Sequence, residues 1–97
     1  MNVAARFEWD PRKAVSNLKR HGVSFEEALT VFTNPLARIF DDEDPPVEEM
    51  REIIIGHSAE DHLLVICFNE GGDAIRIISA RKATKNERKD YEEGVRA

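Results

Sequence analysis

The apolar positions of this chain change period along its length, and each change predicts an element. Phe7-Glu8-Trp9 alternates, as a short strand does. Asp10-Pro11 then predicts a helix start, with Asp as cap and Pro in the first turn, where its missing N–H costs nothing. Ala14, Val15 and Leu18 make a narrow apolar stripe on that helix, Arg12, Lys13, Lys19 and Arg20 coat the rest, and Gly22 is placed to close it. His21 in the last turn suits the negative end of the helix dipole. A second helix follows at once. Ser24 and Glu27 have the spacing of a capping box, and Val23 with Ala28 that of a hydrophobic staple. Phe25, Ala28, Leu29 and Phe32 then recur as one buried face until Asn34-Pro35 ends it.

From residue 36 the period falls to two. Leu36, Arg38 and Phe40 share one face of a first strand, and a second runs over 51–57 around Ile53-Ile54-Ile55. Ser58 to Asp61 predicts a hairpin turn, 62–68 a returning strand, and Asn69 to Asp73 a further turn into the last strand. In that strand Ile75, Ile77 and Ser79 alternate with Arg76, Ile78 and Ala80. Thr84 with Glu87 is a second capping box and opens the closing helix. The order predicts an α+β domain: an antiparallel sheet of about four strands, two N-terminal helices and one C-terminal helix, with the helices on one face. A guanidinium inside a strand needs a wet sheet face or a paired charge, so Arg76 marks a face that is not core. Arg51 shares parity with Ile53 and Ile55, and Arg76 with Ile78, so alternation alone does not decide which cations share a face.

Composition narrows the class. At 97 residues, 41% apolar and 34% charged, residues 1–97 are expected to be one folded domain. The absence of an 18-residue apolar run and of a secretory leader predicts a cytoplasmic protein with no membrane partner. Cys67, inside the run Leu63 to Phe68, is expected to be a reduced core thiol. The net charge of −5 is unevenly spread: residues 1–22 carry +3, residues 23–75 carry −11 and residues 76–97 carry +3. If the basic ends meet, they form the patch that a phosphate backbone requires. The acidic stretch Asp41 to Glu49 is expected to be a loop that lies off any RNA surface. It lacks the glycine and terminal Glu of a calcium loop, and no Cys/His cluster occurs, so neither metal nor cofactor is expected.

The short patterns together resemble the BrnT toxins. They are Phe7-Glu8-Trp9-Asp10, Asn17, the block His21-Gly22-Val23-Ser24-Phe25-Glu26-Glu27-Ala28, Val31-Phe32, Pro35, Arg51 with Gly56, and Arg76 to Ala83 through Glu87-Arg88 to Tyr91. The likeness spans about residues 7 to 92. It implies a RelE/ParE-like fold, growth arrest through RNA cleavage, and a BrnA-like antitoxin with a ribbon-helix-helix domain that carries the pair to operator DNA. By matching positions it implies Arg51, Arg76, Arg81 and Tyr91 as catalytic residues, with Lys82, Lys85 and Arg88 binding RNA. The chain departs from the pattern at Gly71, where an Arg is expected, and at Phe68, where Tyr or Trp is usual.

The residues suit that chemistry in their own right. Metal-free RNA cleavage uses the 2′-hydroxyl as an internal nucleophile, leaving the protein to position, stabilise charge and move protons. Arginine suits the charge role, because its planar fork binds phosphate bidentately and stays charged. His57, His62, Tyr91 and Lys82 are the candidate proton carriers. For each Arg the competing reading is a structural ion pair with one of the 19 acids. The competing function is a catalytically weak toxin-fold module that acts as corepressor with its antitoxin. DNA binding by this chain alone is disfavoured, since no helix presents base-reading residues.

Overall fold

The computed structural model describes residues 6–42 and 50–96. Its elements run β1 (Arg6–Glu8), α1 (Pro11–His21), α2 (Phe25–Val31), β2 (Arg38–Asp41), β3 (Glu52–His57), β4 (Leu63–Gly71), β5 (Ala74–Lys82) and α3 (Lys85–Arg96). Strands β2 to β5 form the expected antiparallel meander. The short strand β1 adds a parallel edge beside β5, so the sheet is mixed, with order β1-β5-β4-β3-β2. Most of the acidic loop, residues 43–49, lies outside the described residues.

The helix ends follow from local chemistry. Asp10 caps α1 by accepting from the Arg12 N–H at 2.9 Å, and Gly22 closes it in the left-handed region at φ 70°. Ser24 caps α2 by accepting from the Glu27 N–H at 3.0 Å. The reciprocal half of that capping box is absent. The Glu27 carboxylate turns away instead, accepting from the Ser58 hydroxyl at 2.6 Å and meeting His62 Nδ1 at 2.7 Å. Burial opposes its charge, but the hydrogen bonds from Ser58 and His62 outweigh burial and hold the carboxyl below its usual range. This contact and the Ala59 N–H to Thr30 Oγ1 bond (2.8 Å) pin the β3–β4 turn to α2.

One face of the sheet packs on α2. Ile54, Leu64, Ile66, Phe68, Ile77 and Ala80 meet Val23, Phe25, Ala28 and Val31 in a single buried cluster. Phe32 bridges Phe7 and Phe68 edge-to-face, with centroids 5.1 Å from each. Phe68 is therefore a core residue, and its departure from the usual Tyr or Trp bears on packing. At Gly56 a Cβ would come within 2.7 Å of the Ala37 Cβ, so the chain between α2 and β2 crosses β3 closely enough to require glycine.

Two expectations are overturned. The helices do not share a face: α3 lies on the opposite side, its Tyr91 ring 5.8 Å from His57 and its Tyr91 hydroxyl donating to the Leu36 carbonyl at 2.8 Å. Nor is most of the apolar stripe of α1 buried: Ala14 packs against the core, but Val15 is 56% and Leu18 51% exposed. Its buried residue is Asn17. Where β1 has ended, the outer edge of β5 has no strand beside it among the described residues. The Asn17 carboxamide takes the strand's place, donating to the Ala80 carbonyl at 2.8 Å and accepting from the Ala80 N–H at 3.1 Å. Its second donor bond goes to the Val23 carbonyl at 3.0 Å. α1 thus docks by hydrogen bonding, which apolar periodicity cannot report.

Asn17→Ala should strand these buried backbone groups and destabilise the fold by about 3 kcal/mol, lowering the melting temperature by roughly 15 °C. Asn17→Asp, which turns a carboxylate towards two carbonyl oxygens, should cost no less. Denaturant unfolding at unchanged m-value checks both.

Candidate active site

The second face of the sheet carries the arginines. In β4–β5 the register places Cys67 opposite Ser79 but Phe68 opposite Ile77, so Ile78 is an extra residue in β5. This bulge shifts the alternation by one. Ile77 and Ala80, three apart, both face the core, and Arg76 and Arg81, five apart, both face away from it. Across the sheet Arg76 stands opposite Asn69, Ser79 opposite Cys67, and Arg81 opposite Val65. Cys67 pairs onward with Ile53 and Phe40, and Val65 with Ile55 and Arg38. Arg51 precedes β3 with the parity of Ile53, and its carbonyl accepts from the Asp42 N–H at 3.1 Å, which extends the β2–β3 pairing by one step. Arg51 therefore continues the row of Asn69 and Arg76. Arg38, Arg51, Arg76 and Arg81 frame a patch made of Phe40, Ile53, Cys67 and Ser79. Cys67, expected in the core, lies on this face and is partly buried.

Each predicted arginine meets a carboxylate from a different part of the fold. Arg76 Nη1 donates to Glu8 at 2.9 Å, across the β1–β5 pairing. Arg51 Nη2 lies 3.0 Å from Asp42, while its buried Nε has no hydrogen-bond partner among the described residues. Arg81 grips Glu87 bidentately at 2.7 and 2.8 Å. Glu87 also completes the α3 capping box, accepting from the Thr84 N–H at 2.9 Å while its own N–H donates to Thr84 Oγ1 at 3.1 Å. The Arg81 hydrogen bonds, against burial and with help from Thr84, bring the Glu87 carboxyl down to about 2. Asp42 belonged to the stretch expected to avoid this surface; it sits on it.

The remaining candidates divide by face. Tyr91 is buried against His57 with its hydroxyl committed to Leu36, and burial pushes the phenol up. Lys82 stands opposite Leu64 on the α2 face, where its charge acts on Glu27. His62, also bound to Glu27, lies on that side too. Lys85 and Arg88 are exposed on α3. Sequence reasoning missed Arg38, which stacks 5.7 Å from the Phe40 ring and lies so close to α3 that a Cβ at Gly94 would strike its guanidinium. It missed Glu8 as well. The alternation Leu36-Arg38-Phe40 and the motif Phe7-Glu8-Trp9 held both signals. Gly71, opposite Ala74 and sharing parity with Asn69, is exposed on this face, with open space around the position of a Cβ. Among the described residues no helix is long and apolar enough to cross a membrane.

A family model described as the ribonuclease toxin BrnT of type II toxin-antitoxin systems matches residues 9–87. No curated protein sequence matches. Among solved structures, the ribonuclease toxin BrnT of Brucella abortus has a similar fold. Its TM-score is 0.60 at 24% identity, over 84% of this chain and 100% of that one.

Glu87, with its carboxyl depressed in the fold, contributes stability that is full above its ordinary value of 4.5 and lost as pH falls towards about 2. Glu87→Gln should melt below the wild type at neutral pH, and the gap should close through that window. A gap of constant size across the acid range in thermal melts would remove Glu87 as its source.

Proposed function

This chain belongs to the BrnT family of ribonuclease toxins of type II toxin-antitoxin systems, and from that premise we propose that it cleaves RNA, without metal, on the arginine face of its sheet. The observation that carries this reading is the convergence of Arg51, Arg76 and Arg81 on one face through the Ile78 bulge, around an otherwise uncharged patch. In the reaction the 2′-oxygen attacks the adjacent phosphorus, the P–O5′ bond breaks, and the leaving 5′-oxygen takes a proton from water, giving a 2′,3′-cyclic phosphate and a 5′-hydroxyl. The arginines hold the phosphate oxygens and stabilise the charge that grows on them. Arg76 and its partner Glu8 are both close to half exposed, so a phosphate can replace the carboxylate at little cost. The displaced Glu8 is then beside the phosphate and takes the 2′-hydroxyl proton. Tyr91 acts by anchoring α3, and Lys85 and Arg88 by attracting the RNA strand from outside. Lys82, on the other face, serves Glu27 instead.

The neutralising partner in this reading is a BrnA-like ribbon-helix-helix antitoxin, with operator DNA reached only through it and the action confined to the cytoplasm. One observation favours the corepressor alternative: the face lacks a cation at Gly71, where related chains are expected to have Arg.

Induced alone in a bacterium, the chain should arrest growth, with relief by its coexpressed antitoxin. Normal growth and intact bulk RNA at verified soluble expression would favour the corepressor reading. Arg76→Ala should lower cleavage about a hundredfold or more, yet cost under about 1 kcal/mol because its ion pair is exposed. Arg76→Lys should restore little, since Lys lacks the bidentate fork. Gly71→Arg, for which the site has room, should raise cleavage several-fold; an unchanged rate would show that the departure is neutral.

A further inference from the structure

The two basic ends of the chain do meet, and they enclose a cleft that the reaction above does not use. It lies between α1 and the outer edge of β5 and has a volume of about 290 Å³. Lys13, Ser16, Asn17, Arg20 and His21 line it from the helix, at the spacing of a single helical face, and Ile78 and Ser79 from the strand. Among the described residues no carboxylate lines it. Arg51, Arg76 and Arg81 each have an acid, but no ion pair involves Lys13, Arg20 or His21 among the described residues.

A helix face turned towards a sheet is ordinarily its apolar face. Here the buried residue is Asn17, the exposed Lys13, Ser16 and Arg20 rim the cleft around it, and Val15 and Leu18 are left to solvent. Asn17 accounts for the docking but not for the charges, which flank it one turn away on either side. Cations gathered around a concave space with hydroxyls and no acid are the donor set for a phosphate group. The volume admits a phosphate and its sugar, and falls short of a pocket for a larger ligand. Ser79 joins the cleft to the site, because its position on β5 lies between Arg76 and Arg81.

We propose that this cleft binds a backbone phosphate of single-stranded RNA, next along the strand from the phosphate held by the arginines. Lys13 and Arg20 supply the charge, and His21, Ser16 and Ser79 further hydrogen-bond donors. The inference rests on the ribonuclease reading for its choice of polymer, and it gives the RNA a direction, from the sheet face over the edge of β5 onto α1.

The test uses the full chain and a single-stranded oligoribonucleotide methylated at every 2′-oxygen, which binds but cannot be cleaved. Affinity is measured by fluorescence anisotropy across a salt series. Lys13→Gln/Arg20→Gln should weaken binding about tenfold and flatten the slope of log affinity against log salt by roughly 0.7, the value for one lost phosphate contact on a single strand. Lys19→Gln/Lys89→Gln removes the same charge outside the cleft and should change affinity less than about threefold. Both pairs are exposed and without ion pairs, so unchanged melting curves are expected. Equal losses from the two pairs would mean diffuse attraction and overturn the cleft, as would full affinity in the first pair. The two readings can fail separately. Cleft-dependent binding by a wild type that leaves unmethylated RNA intact sinks the ribonuclease and keeps the cleft. Cleavage by a wild type whose Lys13→Gln/Arg20→Gln variant keeps full affinity does the reverse.

Discussion

One extra residue in β5 decides what this domain presents to its surroundings. A strand shows alternate residues to alternate faces, so positions five apart oppose each other. Arg76 and Arg81 would therefore lie on opposite faces of a regular strand, one of them against α2 and its fully buried Phe25, Ala28 and Val31. An unpaired guanidinium there would cost several kcal/mol. The bulge at Ile78 removes that conflict. It also lets Ile77 and Ala80 both reach the core, so the same irregularity completes the packing on one face and assembles the cations on the other.

Once the cations share a face, their mutual repulsion has to be managed. The fold does this with three acids drawn from separate segments: Glu8 from β1, Asp42 from the end of β2 and Glu87 from the first turn of α3. These pairs differ in strength. Glu87 is bound bidentately and also caps α3, so Arg81 is joined to the helix that lies over this face. Glu8 holds Arg76 through a single exposed contact. Arg76 is thus the least firmly held of the three cations, and Arg81 the most firmly placed.

The edge of β5 imposes a second demand, since a strand edge left bare inside the fold would carry unsatisfied backbone groups. β1 covers its first part, and the Asn17 carboxamide covers Ala80. Using a polar side chain for this purpose inverts the ordinary amphipathic arrangement of α1. The helix is held by directional bonds at one buried residue, so its neighbours on the same face need not be apolar and are free to be cations.

Some of this was written in the sequence and some was not, and the boundary is physical. Caps are local: Asp10 with Pro11, Gly22, Ser24, and Thr84 with Glu87 act within a turn, so residue spacing alone located every helix. The meander followed from alternation and turn residues in the same way, and the family was legible because its patterns are dense around residues 21–28 and 76–91. Which side chains share a face depends on the partner strand, and only the β4–β5 register introduces the bulge that unites Arg76 with Arg81 and turns Lys82 away. Glu27 had the spacing to complete a capping box, but the tertiary fold brought Ser58 and His62 within reach and they took its carboxylate instead. Asn17 was visible as a motif residue, yet its use, a bond to Ala80 63 positions away, exists only when the chain is folded. Interactions that close within a few residues are fixed by order along the chain, whereas those between distant segments are fixed by how the strands align.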